Sequence, residues 1–318
     1  VGVFALSTQN TTGGGNIYNT AIGYGAGNTI TTGVVNTLIG GLSGDALTVG
    51  ESNVAVGYAS LSADTKGNKN VAIGREALSA QNFTSATDSY NSAVGYRAGY
   101  DLSTAIKNTH IGGFAGDSTT TGNYNTFFGY NAGDTNVDGG QNTIVGALAT
   151  TSATGGDFAN GLGYELSCAA GYTTLGKSTD DIRAAHGTAS WSTVSDERYK
   201  KDIVDSTAGL SFINALKPRT FKYKNLGELP ETFNAYKSGS TDVFKNSNTN
   251  HGFIAQEVKA AIDADSSIKD GFRLWDDRPD GSQEVAETAL IPVLTKAIQE
   301  LSAKVTSLEA EVTKLKGE

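Results

Sequence analysis

The feature that most constrains this chain is a repeat. The pentapeptide Asn-x-x-apolar-Gly recurs at Asn19–Gly23, Asn36–Gly40, Asn53–Gly57, Asn70–Gly74, Asn91–Gly95, Asn108–Gly112, Asn125–Gly129 and Asn142–Gly146. The steps between copies are 17, 17, 17, 21, 17, 17 and 17 residues. Gly163 continues the 17-residue step, and Gly176 follows after 13. Three positions past each Gly stands a small residue: Ala26, Ser43, Ser60, Ala77, Ala98, Ala115, Ala132 or Ala149. A unit this short cannot hold two helices, and no helical period runs through it. Short strands broken by glycine fit, with one repeat forming one coil of a β-roll or β-helix. Ten coils at about 4.8 Å each make a rod roughly 50 Å long.

The residue before each Gly (Ile22, Ile39, Val56, Ile73, Val94, Ile111, Phe128, Val145) is apolar in every copy. That uniformity predicts the inner face of a strand. The column between, from Ala21, Leu38 and Ala55 to His110, Phe127 and Ile144, then faces outward. Its small and apolar residues predict packing against sister chains, hence an oligomer. Each Asn is expected either in a left-handed turn or stacked in a ladder.

Residues 1–176 form the shaft on this reading, and 177–194, with Trp191, a polar linker. All four prolines follow Ser195, and most of the 40 glycines precede it. Residues 195–287 read as a small α+β domain. Thr220–Tyr223 alternates like a strand, Gly252–Val258 runs into a helix reaching Ala264, and Arg273–Trp275 is a further strand. Residues 288–318 read as a parallel coiled coil, with Ile291, Ile298, Val305 and Val312 at a and Leu294, Leu301, Leu308 and Leu315 at d. Lys304 and Glu311 at g face Glu309 and Lys316 at e with opposite charge. This a/d choice alone favours a dimer.

The net charge is −9, of which residues 1–180, with 6 basic and 12 acidic side chains, contribute −6. An acidic surface argues against nucleic acid and anionic membranes as partners. No apolar window is long enough to span a bilayer. Cys168 is the single cysteine, so there is no intrachain disulfide and no cysteine set for structural zinc. No metal or other cofactor is expected. The start Val1-Gly2-Val3-Phe4-Ala5 and the absence of Met read as a segment cut from a longer protein.

Several features carry two readings. Tyr24, Tyr58, Tyr96 and Tyr130 follow the Gly in alternate repeats, as receptor or sugar contacts or as rung-to-rung packing. The four-residue insertion within Leu78–Tyr90 is expected to protrude as a loop. Asp134–Gly139 begins like a calcium loop, but its twelfth position is Val145, so it reads as a turn.

Ser195 and Lys200 are a candidate nucleophile and base at the composition boundary. A lysine removes a hydroxyl proton only when neutral, which needs burial or nearby cations. Arg198 and Lys201 would supply such a field, or Arg198 would stabilise the oxyanion. A five-residue offset puts the pair on opposite faces of a strand, or about 140° apart on a helix. The site therefore needs a bend or a second chain. The bland alternative is a turn serine beside Asp196 and a solvated lysine.

Asn70-Val-Ala-Ile-Gly74 and Asn91-Ser-Ala-Val-Gly95, each followed by x-x-Ala, resemble the head repeats of trimeric autotransporter adhesins and repeats in phage tail fibres. The resemblance covers roughly residues 15–176. It implies a homotrimeric left-handed β-roll and no catalytic residues. The C-terminal half resembles the intramolecular chaperone auto-processing domain of phage tail fibres and tailspikes. The matching residues are Ser195-Asp196-x-Arg198-x-Lys200-x-Asp202-Ile203, Leu216-Lys217-Pro218 before Phe221-x-Tyr223, Gly252-Phe-Ile-Ala-Gln256-Glu257-Val258, and Leu290-Ile-Pro292 leading to Leu301.

This second resemblance implies a domain that helps a trimeric β-fibre to fold and then cuts itself off. Ser195 and Lys200 form the dyad, Arg198 and Asp202 support it, and the broken bond is Ser195–Asp196. Chemically, attack on the Val194–Ser195 bond is the easier intrachain route, so the side of cleavage stays open. The expected partners are two further copies of the chain, an upstream tail-fibre or baseplate protein and a host-surface receptor. The expected location is the virion tail, assembled in host cytoplasm. The rival reading is a bacterial trimeric surface adhesin whose C-terminal domain is a permanent, uncleaved cap.

Overall fold

Each repeat closes into one coil of a β-solenoid. The computed structural model describes residues 1–10, 16–266, 268 and 272–317, and the chain divides into two compact units, 1–199 and 200–318. In the first unit the three residues between Asn and Gly form the strand of each coil. Thr20–Ile22, Thr37–Ile39, Val54–Val56 and Val71–Ile73 are followed by Ser92–Val94, Thr109–Ile111, Thr126–Phe128 and Thr143–Val145. They stack in register as parallel neighbours, Ala21 beside Leu38, Leu38 beside Ala55, His110 beside Phe127. Asn160–Tyr164 and Tyr172–Lys177 extend the ladder, and Asp180–Ala185 closes it in the antiparallel sense. That last strand lies inside the stretch read as a linker.

The two strand faces are the reverse of the expectation. Ala21, Leu38, Ala55, Ala72, Ala93, His110, Phe127 and Ile144 are buried in the lumen, while Ile22 and Phe128 are 47% and 52% exposed on the outer face. The lumen of a 17-residue coil is narrow. It admits alanine, and admits a larger side chain only where a facing position shrinks. A Cβ on Gly27 would meet Leu38 at 2.8 Å, and one on Gly44 would meet it at 2.9 Å. Where the strand supplies Ala55 and Ala72, the positions equivalent to Gly44 carry the buried Leu61 and Leu78. Gly99 and Gly116 flank His110 in the same way, at 3.0 and 2.5 Å, and Gly133 makes room for Phe127. The outer column is free of this volume constraint, and its β-branched and aromatic residues suit a pleated strand.

The asparagines form the ladder. The Asn36 Oδ1 accepts the backbone N–H of Asn53 at 3.0 Å, and the Asn53 Oδ1 accepts that of Asn70 at 3.0 Å. The series continues through Asn91, Asn108, Asn125 and Asn142 to the N–H of Ala159. The amide of Asn53 also donates to the Gly67 carbonyl at 2.9 Å. These buried side chains satisfy backbone groups that the coil corners leave unpaired. The left-handed position is the residue before each Asn: Lys69, Tyr90, Lys107 and Tyr124 have φ between 50° and 61°. Beyond each strand, glycines stack on glycines. Gly57 has φ 139°, and a Cβ there would stand 2.5 Å from the carbonyl oxygen of Gly74.

The inserted coil packs down more than a loop reading predicts. The buried Asp64 accepts the N–H of Gly67 and Phe83 and the Gln81 amide at 3.0, 3.2 and 2.6 Å. Gln81 in turn accepts from Asn91 at 2.8 Å. Its tip, Thr84–Ala86, is exposed, as are Asn82, Asp88 and Tyr90.

The second unit is a small α/β region ending in a long helix. Helices α1 (Leu210–Ala215), α2 (Ala255–Ala264) and α3 (Leu290–Lys316) are joined by two antiparallel pairs. These are Arg219–Phe221 with Asn250–Gly252 and Trp275–Asp277 with Gln283–Val285. The core holds Phe212, Leu216, Val258, Ile262, Leu274, Leu290 and Val293. The second expected strand starts at Trp275 rather than Arg273. On α3 the core-facing residues are Leu290, Val293 and Ala297. The expected a and d residues Ile291, Leu294, Ile298, Leu301, Val305, Leu308, Val312 and Leu315 are all exposed.

Candidate functional site

The last strand of the shaft leads into the junction. Arg183 and Ser192 exchange backbone hydrogen bonds at 2.8 and 2.7 Å, and the Thr193 hydroxyl donates to the Asp181 carbonyl at 3.2 Å. These bonds hold the chain as far as Thr193. From Val194 to Thr207 every residue except Asp196 is exposed.

One short turn organises the motif. Glu197–Tyr199 is a 3₁₀ helix. Asp196 accepts the Arg198 backbone N–H at 2.9 Å, its Nε at 3.0 Å and its Nη2 at 2.7 Å. Such Asx-type turns are what Asp does two residues ahead of a free N–H. The fork of two side-chain bonds holds the Arg198 pKa above its ordinary value. It also offsets the positive charge that was expected to act on Lys200. This pairing was not singled out from the sequence, although Asp-x-Arg at a turn is its signature. Asp202 sits in an exposed bend with φ 54°.

Ser195 belongs to the first unit and Lys200 opens the second. Both side chains are exposed. A lysine acting as a base must be desolvated or placed among cations to lose its proton near neutrality. The single chain provides no such burial at Lys200.

The four tyrosines in alternate coils are exposed, and they also pack between coils. The Arg75 guanidinium lies 5.7 Å from the Tyr58 ring and 5.8 Å from the Tyr96 ring. Phe114 stands edge-on to Tyr96 and Tyr130, and Phe4 to Tyr24. Among the described residues, no cluster of three or more His, Cys, Asp and Glu is placed to hold a metal ion. No helix among them is long and apolar enough to cross a membrane.

No curated protein and no solved structure matches the chain. Residues 195–265 match the family model described as "Chaperone of endosialidase", a family of self-cleaving chaperone domains. The match supports an intramolecular chaperone role for the segment that begins at Ser195. Coupled to a β-solenoid of 17-residue coils, it fits a tail fibre or tailspike with a C-terminal chaperone domain.

Proposed function

We propose that this chain is a segment of a phage tail fibre. Its C-terminal unit assembles three chains, sets the register of the shaft and then releases itself by cleavage at Ser195. The observation that carries the reading is the seam on α3. The small domain grips Leu290, Val293 and Ala297, while eight apolar a and d side chains, from Ile291 to Leu315, face water. Such a stripe is completed by the same helix of other copies. The outer column from Ile22 to Val145 gives the shaft a second self-complementary face. Three chains, where a and d composition alone favours two, is the number the tail-fibre resemblance implies.

A repeat of 17 residues makes such a clamp useful. The asparagine ladder and the lumen close within one chain, so a slip of one whole coil between chains leaves both intact. Non-local strand pairing is slow and exposes edges meanwhile. A C-terminal unit that joins the chains first removes the slipped alternatives.

Assembly also supplies what the single chain lacks at Lys200, a desolvated lysine, from its own chain or a neighbour's. Neutral Lys200 then takes the Ser195 Oγ proton as Oγ attacks a carbonyl carbon. The C–N bond breaks, the amine leaves with that proton, and water hydrolyses the ester. Arg198, released from Asp196, donates to the oxyanion, and Asp202 balances the charge of Lys201 and that of Lys200 once it has taken the proton. Attack on the Val194 carbonyl passes through a five-membered ring. Attack on the Ser195 carbonyl by its own hydroxyl needs a four-membered ring, so the Ser195–Asp196 bond requires Ser195 of another copy. The released shaft takes part in host-surface attachment on the virion tail, joined to an upstream tail-fibre or baseplate protein.

Denaturing electrophoresis with mass spectrometry tests the reading. The wild-type chain should yield a C-terminal fragment starting at Ser195 or Asp196, and Ser195→Ala and Lys200→Ala should stay whole. A stable wild-type oligomer that never cleaves would favour the permanent cap instead.

A further inference from the structure

The corner before each Asn projects its side chain outward. On four successive coils that side chain is Lys69, Tyr90, Lys107 and Tyr124. Lys69 Nζ donates to the Tyr90 hydroxyl at 3.2 Å and lies 5.1 Å from the ring centroid. Lys107 repeats the arrangement on Tyr124, at 3.2 and 5.0 Å. The same corner carries the uncharged Ser52 one coil before this group and Gln141 one coil after it. Two of the 6 basic residues of the acidic stretch 1–180 therefore converge on one short strip. Lys69 shares its charge with Asp88, Nζ to Oδ2 2.5 Å. Lys107 has no ion pair among the described residues.

The geometry points to a binding strip for a linear acidic polysaccharide, lying along the shaft across these four coils. The inference rests on the host-attachment reading above and names its ligand class. Charge density selects that class. Lys69 and Lys107 are two coils apart, about 9.6 Å at ~4.8 Å per coil. Duplex DNA carries one charge per ~1.7 Å, far denser than the strip. A glycan with a carboxylate on every second sugar presents anions at a wide interval of the same kind. The tyrosines recur at the same two-coil interval. Their ring faces suit the apolar faces of the intervening sugars, and their hydroxyls suit the sugar hydroxyls. The tyrosine row at the other corner differs, because its Arg75 lies between two rings and is held by Glu76 at 3.0 Å.

The test is affinity electrophoresis of the full chain in gels containing sodium hyaluronate (one carboxylate per disaccharide), dextran or oligo-dT. Hyaluronate should retard the wild type, and dextran and oligo-dT should do so far less. Lys107→Gln should weaken retention about fivefold, and Lys69→Gln/Lys107→Gln at least about tenfold, with high salt acting in the same direction. Tyr124→Phe, which keeps the ring, should retain more binding than Tyr124→Ala. Circular dichroism confirms that each variant keeps its sheet. Equal retention of the double variant, equal retardation by dextran or oligo-dT, or no retardation by hyaluronate overturns the proposal. Adsorption to host cells separates the two readings. Cell binding that survives in the double variant overturns the strip and leaves attachment standing, whereas a chain that adsorbs to no cells removes attachment itself.

Discussion

The Glu300 carboxylate, midway along the long helix, accepts the backbone N–H of Leu210 at 2.9 Å, the first residue of α1. A Cβ on Gly209 would stand 2.7 Å from the Glu300 oxygens. One acidic side chain thus caps a six-residue helix that has no cap of its own, and ties the helix bearing the seam to the small domain. Glu300→Ala should lower the stability of the C-terminal unit by about 1 kcal/mol, with Glu300→Gln in between. Gly209→Ala should also destabilise it, by displacing the same carboxylate from the Leu210 N–H. Thermal unfolding of the three variants checks this.

The exposed apolar stripe on α3 lets the proposed assembly be tested apart from folding. Leu301→Asn with Leu308→Asn removes two exposed apolar side chains and touches nothing in the core of the unit. The variant should keep its circular dichroism, lose its oligomer by light scattering and fail to cleave. Normal cleavage by a monomeric variant would show that Lys200 becomes competent within one chain.

The glycine stack should be intolerant. Gly57→Ala puts a Cβ 2.5 Å from the Gly74 oxygen at a φ of 139°, and should cost the shaft about 1–3 kcal/mol. Phe127→Ala, which empties the lumen beside Gly133, should cost about 3–5 kcal/mol. Denaturant midpoints of the shaft measure both.

His110 makes the shaft sensitive to acid. It is fully buried, stacks on Phe127 at 5.0 Å and leaves both ring nitrogens without a hydrogen-bond partner among the described residues. Burial pushes its pKa from 6.5 down to about 3. The unfolded chain therefore binds a proton between these values that the folded chain does not. Stability is complete above about pH 6.5 and falls as pH drops towards 3, by about 2 kcal/mol at pH 5. Leu38 occupies the equivalent space between Gly27 and Gly44, so His110→Leu should fit, gain about 1 kcal/mol at pH 7 and lose this acid dependence. Asp117 works in the opposite sense, because burial and the hydrogen bond that its protonated carboxyl donates to Asp134 push its pKa up to about 6. The difference between wild type and His110→Leu cancels that contribution. Unfolding at pH 5 and pH 7.5 is the measurement.

Cys168 should be silent until the shaft opens. It is buried beneath Gly161, and burial pushes its thiol up to about 11, so thiolate is scarce at neutral pH. Maleimide labelling should be slow in the native protein and rapid in denaturant, which makes Cys168 an internal reporter of shaft folding.

The linear chain by itself determined the coil. The 17-residue step, the asparagine before each strand and the glycine after it follow from local backbone needs, so they recur in every copy and can be read directly. The long helix α3 and its apolar stripe were equally legible, because helix periodicity is local. Which strand face turns inward was decided only by tertiary structure. Alternation has two phases that look alike in one dimension, and the more regular column, Ile22 to Val145, was the wrong guide. The decisive pattern was non-local: Leu38 against Gly27 and Gly44, Ala55 and Ala72 beside coils carrying Leu61 and Leu78. Volumes must sum to fill one narrow lumen, so each lumen residue is chosen by neighbours up to a whole coil away. At the junction the sequence named Ser195 and Lys200. Folding added that Asp196 holds Arg198 and that solvent reaches both members of the pair, because desolvation depends on what packs against a side chain and is not written in its neighbours along the chain.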